Sequence, residues 1–184
     1  MTLDEVQPQV ESAADGAAGH DIAVLADHSA AIEVYVGVAL DDDAELIATI
    51  ARLHATSTWT VGICNGVEWL GKAGVIAGRE VTTNWAARDK VAGYGATVNK
   101  NRYHRDGKLI TGAGVSASID AGLFLAGLLA GEDLARTIQL GIEYYPAPPF
   151  GNGTPDDAAP QAQAIIRQVE ATGPQRIRSM KPPV

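Results

Sequence analysis

Between residues 20 and 140, short runs rich in β-branched residues alternate with segments whose apolar residues recur at helical spacing. That alternation restricts the chain to an α/β architecture built on a largely parallel sheet. Strands are predicted at 20–26, 32–37, 58–63, 80–83 and 96–98, and a hairpin turn at 105–108 leads into another at 109–111. Asp41, Asp42 and Asp43 cap a helix carrying Leu46, Ile47, Ile50 and Leu53 on one face. Further helices are predicted at 65–73, closed by Gly74, at 86–93, at 119–130 and at 132–140. The tail from Pro146 holds most of the prolines, so residues 146–184 read as an extended arm that covers the body or clasps a partner. A chain of 184 residues is expected to form one domain, with 1–40 its divergent or shortened N-terminal part.

Charge and composition exclude several function classes. The net charge of −8, from 14 basic and 22 acidic residues, argues against a phosphate-binding surface, because the basic residues are scattered except for Arg176, Arg178 and Lys181. Nucleic acid is not an expected partner. No stretch approaches the roughly 18 apolar residues of a membrane span, and no basic segment leads into an apolar one at the start. A soluble, unexported protein of the cytoplasm is expected, without membrane partners. One cysteine cannot form an internal disulfide, and His20, His28, His54 and His104 lack metal-ligand spacing, so no metal is expected.

That cysteine, Cys64, lies where the apolar run Trp59-Thr60-Val61-Gly62-Ile63 gives way to the helical segment opening at Asn65-Gly66. A sharp strand-to-helix turn pushes one side chain out of the sheet, and the helix start behind it offers N–H groups and a positive potential that favour thiolate. Such a thiol is placed to be a nucleophile; the alternative is a small buried hydrophobe.

Five motifs in order give the chain a family resemblance. They are Cys64-Asn65-Gly66, Ala73-Gly74-Val75-Ile76-Ala77-Gly78-Arg79, Thr82-Thr83-Asn84-Trp85, 101–107 (NRYHRDG) and 111–120 (TGAGVSASID). Together they resemble the ThiJ/PfpI superfamily, which has the class I glutamine amidotransferase-like fold. The segment Gln139-Leu140-Gly141-Ile142-Glu143-Tyr144, with Pro146, Pro148, Pro149 and Phe150, is similar to the C-terminal signature of its isocyanide hydratase-like branch. The resemblance covers about residues 41–157.

The resemblance implies a flavodoxin-like sandwich with helices on both faces of a mostly parallel central sheet, usually a homodimer, and a cofactor-free enzyme acting on a small molecule. Cys64 would sit on a nucleophile elbow with an acidic side chain from the start of the chain hydrogen-bonded to its sulfur. Asp4 is the first candidate for that acid, since an aspartate, a hydrophobic residue and a proline follow the branch's pattern; Glu33 is the alternative, and a solvated terminus is the competing reading of Asp4. Asn65, Gly66, Asn84, Trp85 and Ser116 are expected to bind substrate or steady developing charge. The implied reaction is attack of the thiolate on the terminal carbon of an isocyanide, proton transfer through the carboxyl group, and release of an N-substituted formamide by water. Another reaction of the superfamily, glyoxalase- or deglycase-like or recruited for biosynthesis, is the alternative within enzymes; a non-catalytic thiol sensor or dimeric scaffold is the alternative outside them. Three departures stand out: a short N-terminal part, no clear glycine-rich loop near residues 37–40, and Asn84 where many relatives carry histidine.

Overall fold

The computed structural model describes residues 22–27, 30–36 and 44–179. Their strands are β1 (Ile22–Asp27), β2 (Ala30–Val36), β3 (Trp59–Ile63), β4 (Glu80–Val81), β5 (Thr97–Val98), β6 (Tyr103–Asp106) and β7 (Leu109–Gly112). Five of them form the main sheet, in the order β1-β2-β3-β7-β6. β2, β3 and β7 run parallel at the centre, and β1 and β6 close the edges antiparallel. β4 and β5 pair as a second, two-stranded parallel sheet. The expected flavodoxin-like α/β class holds, and three of these five ladders are parallel.

The centre of the sheet follows from composition. A parallel strand covered on both faces needs a continuous run of residues that tolerate burial, and in β3 all positions after Trp59 are buried. α1 (Ala44–Thr56) presents Leu46, Ile47 and fully buried Ile50 to this core, and α2 (Gly66–Lys72) adds Val67 and Leu70. Full burial of such a side chain contributes about 1.5–3 kcal/mol on leaving water. Gly62 lets α2 approach closely: a Cβ there would stand 2.5 Å from Leu70 Cδ1 and 3.3 Å from Val67 Cγ2. The end of α1 is tied to the β6–β7 hairpin, where the Lys108 ammonium donates to the carbonyls of His54, Ala55 and Ser57. A cation there suits the negative end of the helix dipole. Gly107, with φ of 62°, makes the turn just before it. Asp106 joins the two sheets, accepting from Arg79 at 3.3 Å and from the Glu80 amide at 2.9 Å.

Three sequence expectations need correction. The strand predicted at 80–83 stops at Val81, because the amide of Thr82 donates to the Thr111 hydroxyl (2.9 Å) and its own hydroxyl donates to Asn101 O (2.6 Å), so side-chain bonds replace a ladder. The helix predicted at 86–93 begins as a 3₁₀ turn (Trp85–Ala87), capped by Asn84, and becomes α3 (Arg88–Ala92) only afterwards. The tail is not extended throughout: after α4 (Ala117–Ala130) and α5 (Glu132–Gly141), a sixth helix, α6 (Pro160–Ser179), takes most of it. Proline is at ease in a first helical turn, where its missing N–H has no partner to lose, and Ala, Gln, Ile and Arg suit the turns after it.

The described residues divide into two compact units, one ending at Ser118 and one beginning at Ile119. The second holds most of α4, then α5 and α6. Within it, Asp120 in the first turn of α4 accepts a 2.9 Å hydrogen bond from the Tyr144 hydroxyl, and Gln139 donates to the Tyr144 carbonyl. No described helix is long and apolar enough to cross a membrane.

Candidate active site

Cys64 occupies the junction between β3 and α2. Its φ of 56° is left-handed, a conformation that costs an L-residue with a Cβ roughly 1 kcal/mol or more. The surroundings hold it there from both sides. Its amide donates to Gly112 O at 2.9 Å, continuing the β3–β7 register beyond Ile63, and its carbonyl accepts from the hydroxyl of buried Thr83 at 2.8 Å and from Val67 N at 3.3 Å. The residue is half-buried. At this point the strand ends, the chain reverses hand for one residue, and the helix starts.

Asn65 is the N-cap residue of α2, yet its side chain makes no capping bond; its Oδ1 instead accepts from the Cys64 thiol, with Sγ 3.9 Å away. The same Oδ1 accepts from the Asn84 amide nitrogen. Asn84 is buried, and its own Oδ1 accepts from Ala86 N at 2.8 Å and Ala87 N at 3.2 Å. Gly66 is the buried first residue of α2. Cys64, Asn65, Gly66 and Asn84 therefore meet at one place.

The remaining candidates are placed differently. Trp85 opens the 3₁₀ turn and is half-buried. Ser116 is exposed, and its hydroxyl accepts from Arg102 at 3.3 Å; it stands on the loop that leaves Gly112, whose carbonyl holds the Cys64 amide. Glu33 lies in β2, in register with Thr60 and four residues short of the level of Cys64, about 13 Å along the sheet. Asp4 lies outside the described residues, as do 37–43, which include the stretch where the family's glycine-rich loop would fall. Sequence reading missed Thr83 and Gly112 as supports of Cys64. The available signal was the polar run Thr82-Thr83-Asn84 directly after Val81, and the structure buries all three.

At the opposite end of β3, His54, Ser57 and Thr60 form a separate polar cluster, with His54 Nδ1 2.8 Å from Thr60 Oγ1 and Ser57 Oγ 3.0 Å from it. Burial, then the positive charges of Lys108 and Arg79, hold the His54 imidazole below its ordinary value of 6.5. Among the described residues, no three His, Cys, Asp or Glu side chains are grouped to hold a metal ion.

Comparison with known proteins finds relatives for most of this stretch of the chain. Residues 36–126 match the DJ-1/PfpI family. Isonitrile hydratase from Pseudomonas putida is 42% identical over 119 residues, which are 65% of this chain and 52% of that protein. The crystal structure of a ThiJ/PfpI family protein from Pseudomonas syringae matches with a TM-score of 0.67 and 35% identity, covering 72% of this chain and 55% of that one. DJ-1beta of Drosophila melanogaster, at 21% identity, shares the fold with a TM-score of 0.54 over 62% of this chain and 64% of its own. The chain thus spans about half the length of the isonitrile hydratase it matches, 52%.

Proposed function

Because residues 36–126 of this chain belong to the DJ-1/PfpI family, we propose that it is a cysteine-dependent enzyme that hydrates an isonitrile to an N-substituted formamide. The observation that carries this reading is the left-handed Cys64 at the strand-to-helix turn, inside the family-matched stretch of a chain 42% identical over 119 residues to an isonitrile hydratase.

In this reading the Cys64 sulfur attacks the terminal carbon of R–N≡C, forming a C–S bond, and a carboxylic acid supplies the proton that this carbon takes up. Water then adds to the resulting thioimidate, the C–S bond breaks, the thiolate leaves, and the product settles as R–NH–CHO. The first N–H groups of α2, at Asn65 and Gly66, steady the charge that develops beside them. Asp4 is the proposed acid, in preference to Glu33, whose register sets its backbone well short of Cys64. Trp85 and Ser116 are proposed to border the substrate. The protein is proposed to need no cofactor and to act as a cytoplasmic homodimer, the latter testable by sedimentation.

The test is formamide production from a simple isonitrile by the wild type, Cys64→Ala and Asp4→Asn. Turnover that disappears in both variants supports the reading and its acid. Turnover that survives Asp4→Asn moves the acid elsewhere, and no turnover by the wild type sinks the assignment to isonitriles.

A further inference from the structure

Backbone amides at the 3₁₀ turn determine which atom faces the sulfur of Cys64. A main-chain N–H only donates, so the side-chain atom of Asn84 that receives Ala86 N and Ala87 N at 2.8 and 3.2 Å must be its oxygen. The amide nitrogen of Asn84 is then committed to the other direction, toward Asn65. A donor must meet an acceptor, so Asn65 presents Oδ1 there, and that same oxygen is the atom 3.9 Å from Cys64 Sγ. The polarity of two side-chain amides is fixed in series, from the backbone to the thiol. Asn84 is only 7% exposed, so water is not a ready substitute partner if its bond to Asn65 is removed.

We infer that Asn84 is a positioning residue for Cys64: by donating to Asn65 it keeps the oxygen, and not the nitrogen, of that amide turned to the sulfur, where it receives the S–H. The inference rests on the reading of Cys64 as the nucleophile, although not on isonitriles as its substrate. An acceptor beside the sulfur favours thiol, and a donor would favour thiolate. The pair therefore sets an acceptor, and not a donor, against the sulfur. Asn84 has this effect without touching the sulfur.

The experiment is the pH profile of alkylation by iodoacetamide in the 184-residue chain, which reports on Cys64 alone because that sequence holds one cysteine. Asn84→Ser separates the two roles of the residue. Serine is an equally good cap for the turn but its side chain is too short to donate to Asn65. With the donor gone, the Asn65 amide can rotate and offer its N–H groups to the thiolate. The expected result is a midpoint lower by about half to one pH unit, read as about three- to tenfold faster alkylation well below the midpoint, with melting close to wild type. A wild-type profile in Asn84→Ser overturns the inference, since capping alone would then account for the residue. Should that variant not fold, Asn65→Asp decides: it keeps the Asn84 donor and its capping bonds in place while putting a carboxylate oxygen against the sulfur. An upward shift of the profile supports the geometry, and an unmoved one overturns it. Because iodoacetamide needs no substrate pocket, failure of isonitrile turnover and failure of this inference are read out separately.

Discussion

Replacing Gly62 by alanine pits two effects of known sign against each other. Gly62 sits within β3, and alanine is intrinsically favoured there by about 0.5–1 kcal/mol, since the unfolded chain loses freedom. Against that, the added Cβ would stand 2.5 Å from Leu70 Cδ1 and 3.3 Å from Val67 Cγ2. Both side chains are fully buried at 0% exposure, so neither can swing into solvent, and either α2 moves outward or these side chains leave their rotamers. Overpacking of this kind costs about 1–3 kcal/mol, which outweighs the gain and leaves a net loss of about 1–2 kcal/mol. For a chain of 184 residues the melting temperature should fall by about 2–8 °C. Circular dichroism melts and urea titrations measure the loss. Leu70→Val, which withdraws the clashing methyl, should lower stability alone yet restore part of it in the Gly62→Ala background, giving a coupling of about 1 kcal/mol in the double-mutant cycle. A Gly62→Ala protein more stable than wild type, or a cycle with no coupling, would refute the close-approach account of Gly62.

Other perturbations test the supports around the sheet. Thr83→Val keeps the shape and removes the 2.8 Å hydrogen bond to the Cys64 carbonyl; a stability loss of about 1–3 kcal/mol by urea titration, with alkylation of Cys64 altered, is expected because the carbonyl loses a buried partner. Lys108→Met withdraws the ammonium from the carbonyls of His54, Ala55 and Ser57 and should cost about 0.5–2 kcal/mol, with the difference from wild type shrinking as salt is raised if charge on the helix end is the cause. The His54 ring should titrate below 6.5 by NMR, chiefly through burial and then through Lys108 and Arg79, so Lys108→Met should raise it only part of the way back. The folded state binds that proton less readily than the unfolded one, so the contribution of His54 to stability is complete above pH 6.5 and is lost as pH falls through its lowered value; replacing His54 by asparagine should flatten this part of the stability profile.

The order of elements was legible because hydrophobic period and turn chemistry speak about neighbours in sequence. In α1, Leu46, Ile47 and Ile50 recur three and four residues apart, as a helix face requires and a short strand does not, and Gly107 marked the hairpin. The strand-to-helix turn at Cys64 was legible too, since the β-branched run ends there and helical spacing begins at once. The supports of that cysteine were not. Gly112 lies 48 residues beyond Cys64 and Thr83 19 residues beyond; the first acts through its carbonyl and the second through its hydroxyl, and only the β3–β7 register and the loop after β4 bring them to Cys64. Thr82 illustrates the same limit: its β-branched side chain reads as strand, while the partner that ends the strand, Thr111, arrives from a distant segment. Asn84 read locally as a pocket residue, and its bond to Asn65, 19 residues away in sequence, was not legible.

The left-handed backbone at Cys64 carries a lesson for anyone engineering the chain. Glycine is the residue that φ of 56° suits, so Cys64→Gly should fold more stably than the wild type by roughly 1 kcal/mol while having no thiol at all, and Cys64→Ala should gain little. A search for thermostable variants that scores only melting would therefore favour discarding the thiol. The glycine variant is, for the same reason, the natural thiol-free control for alkylation and turnover assays.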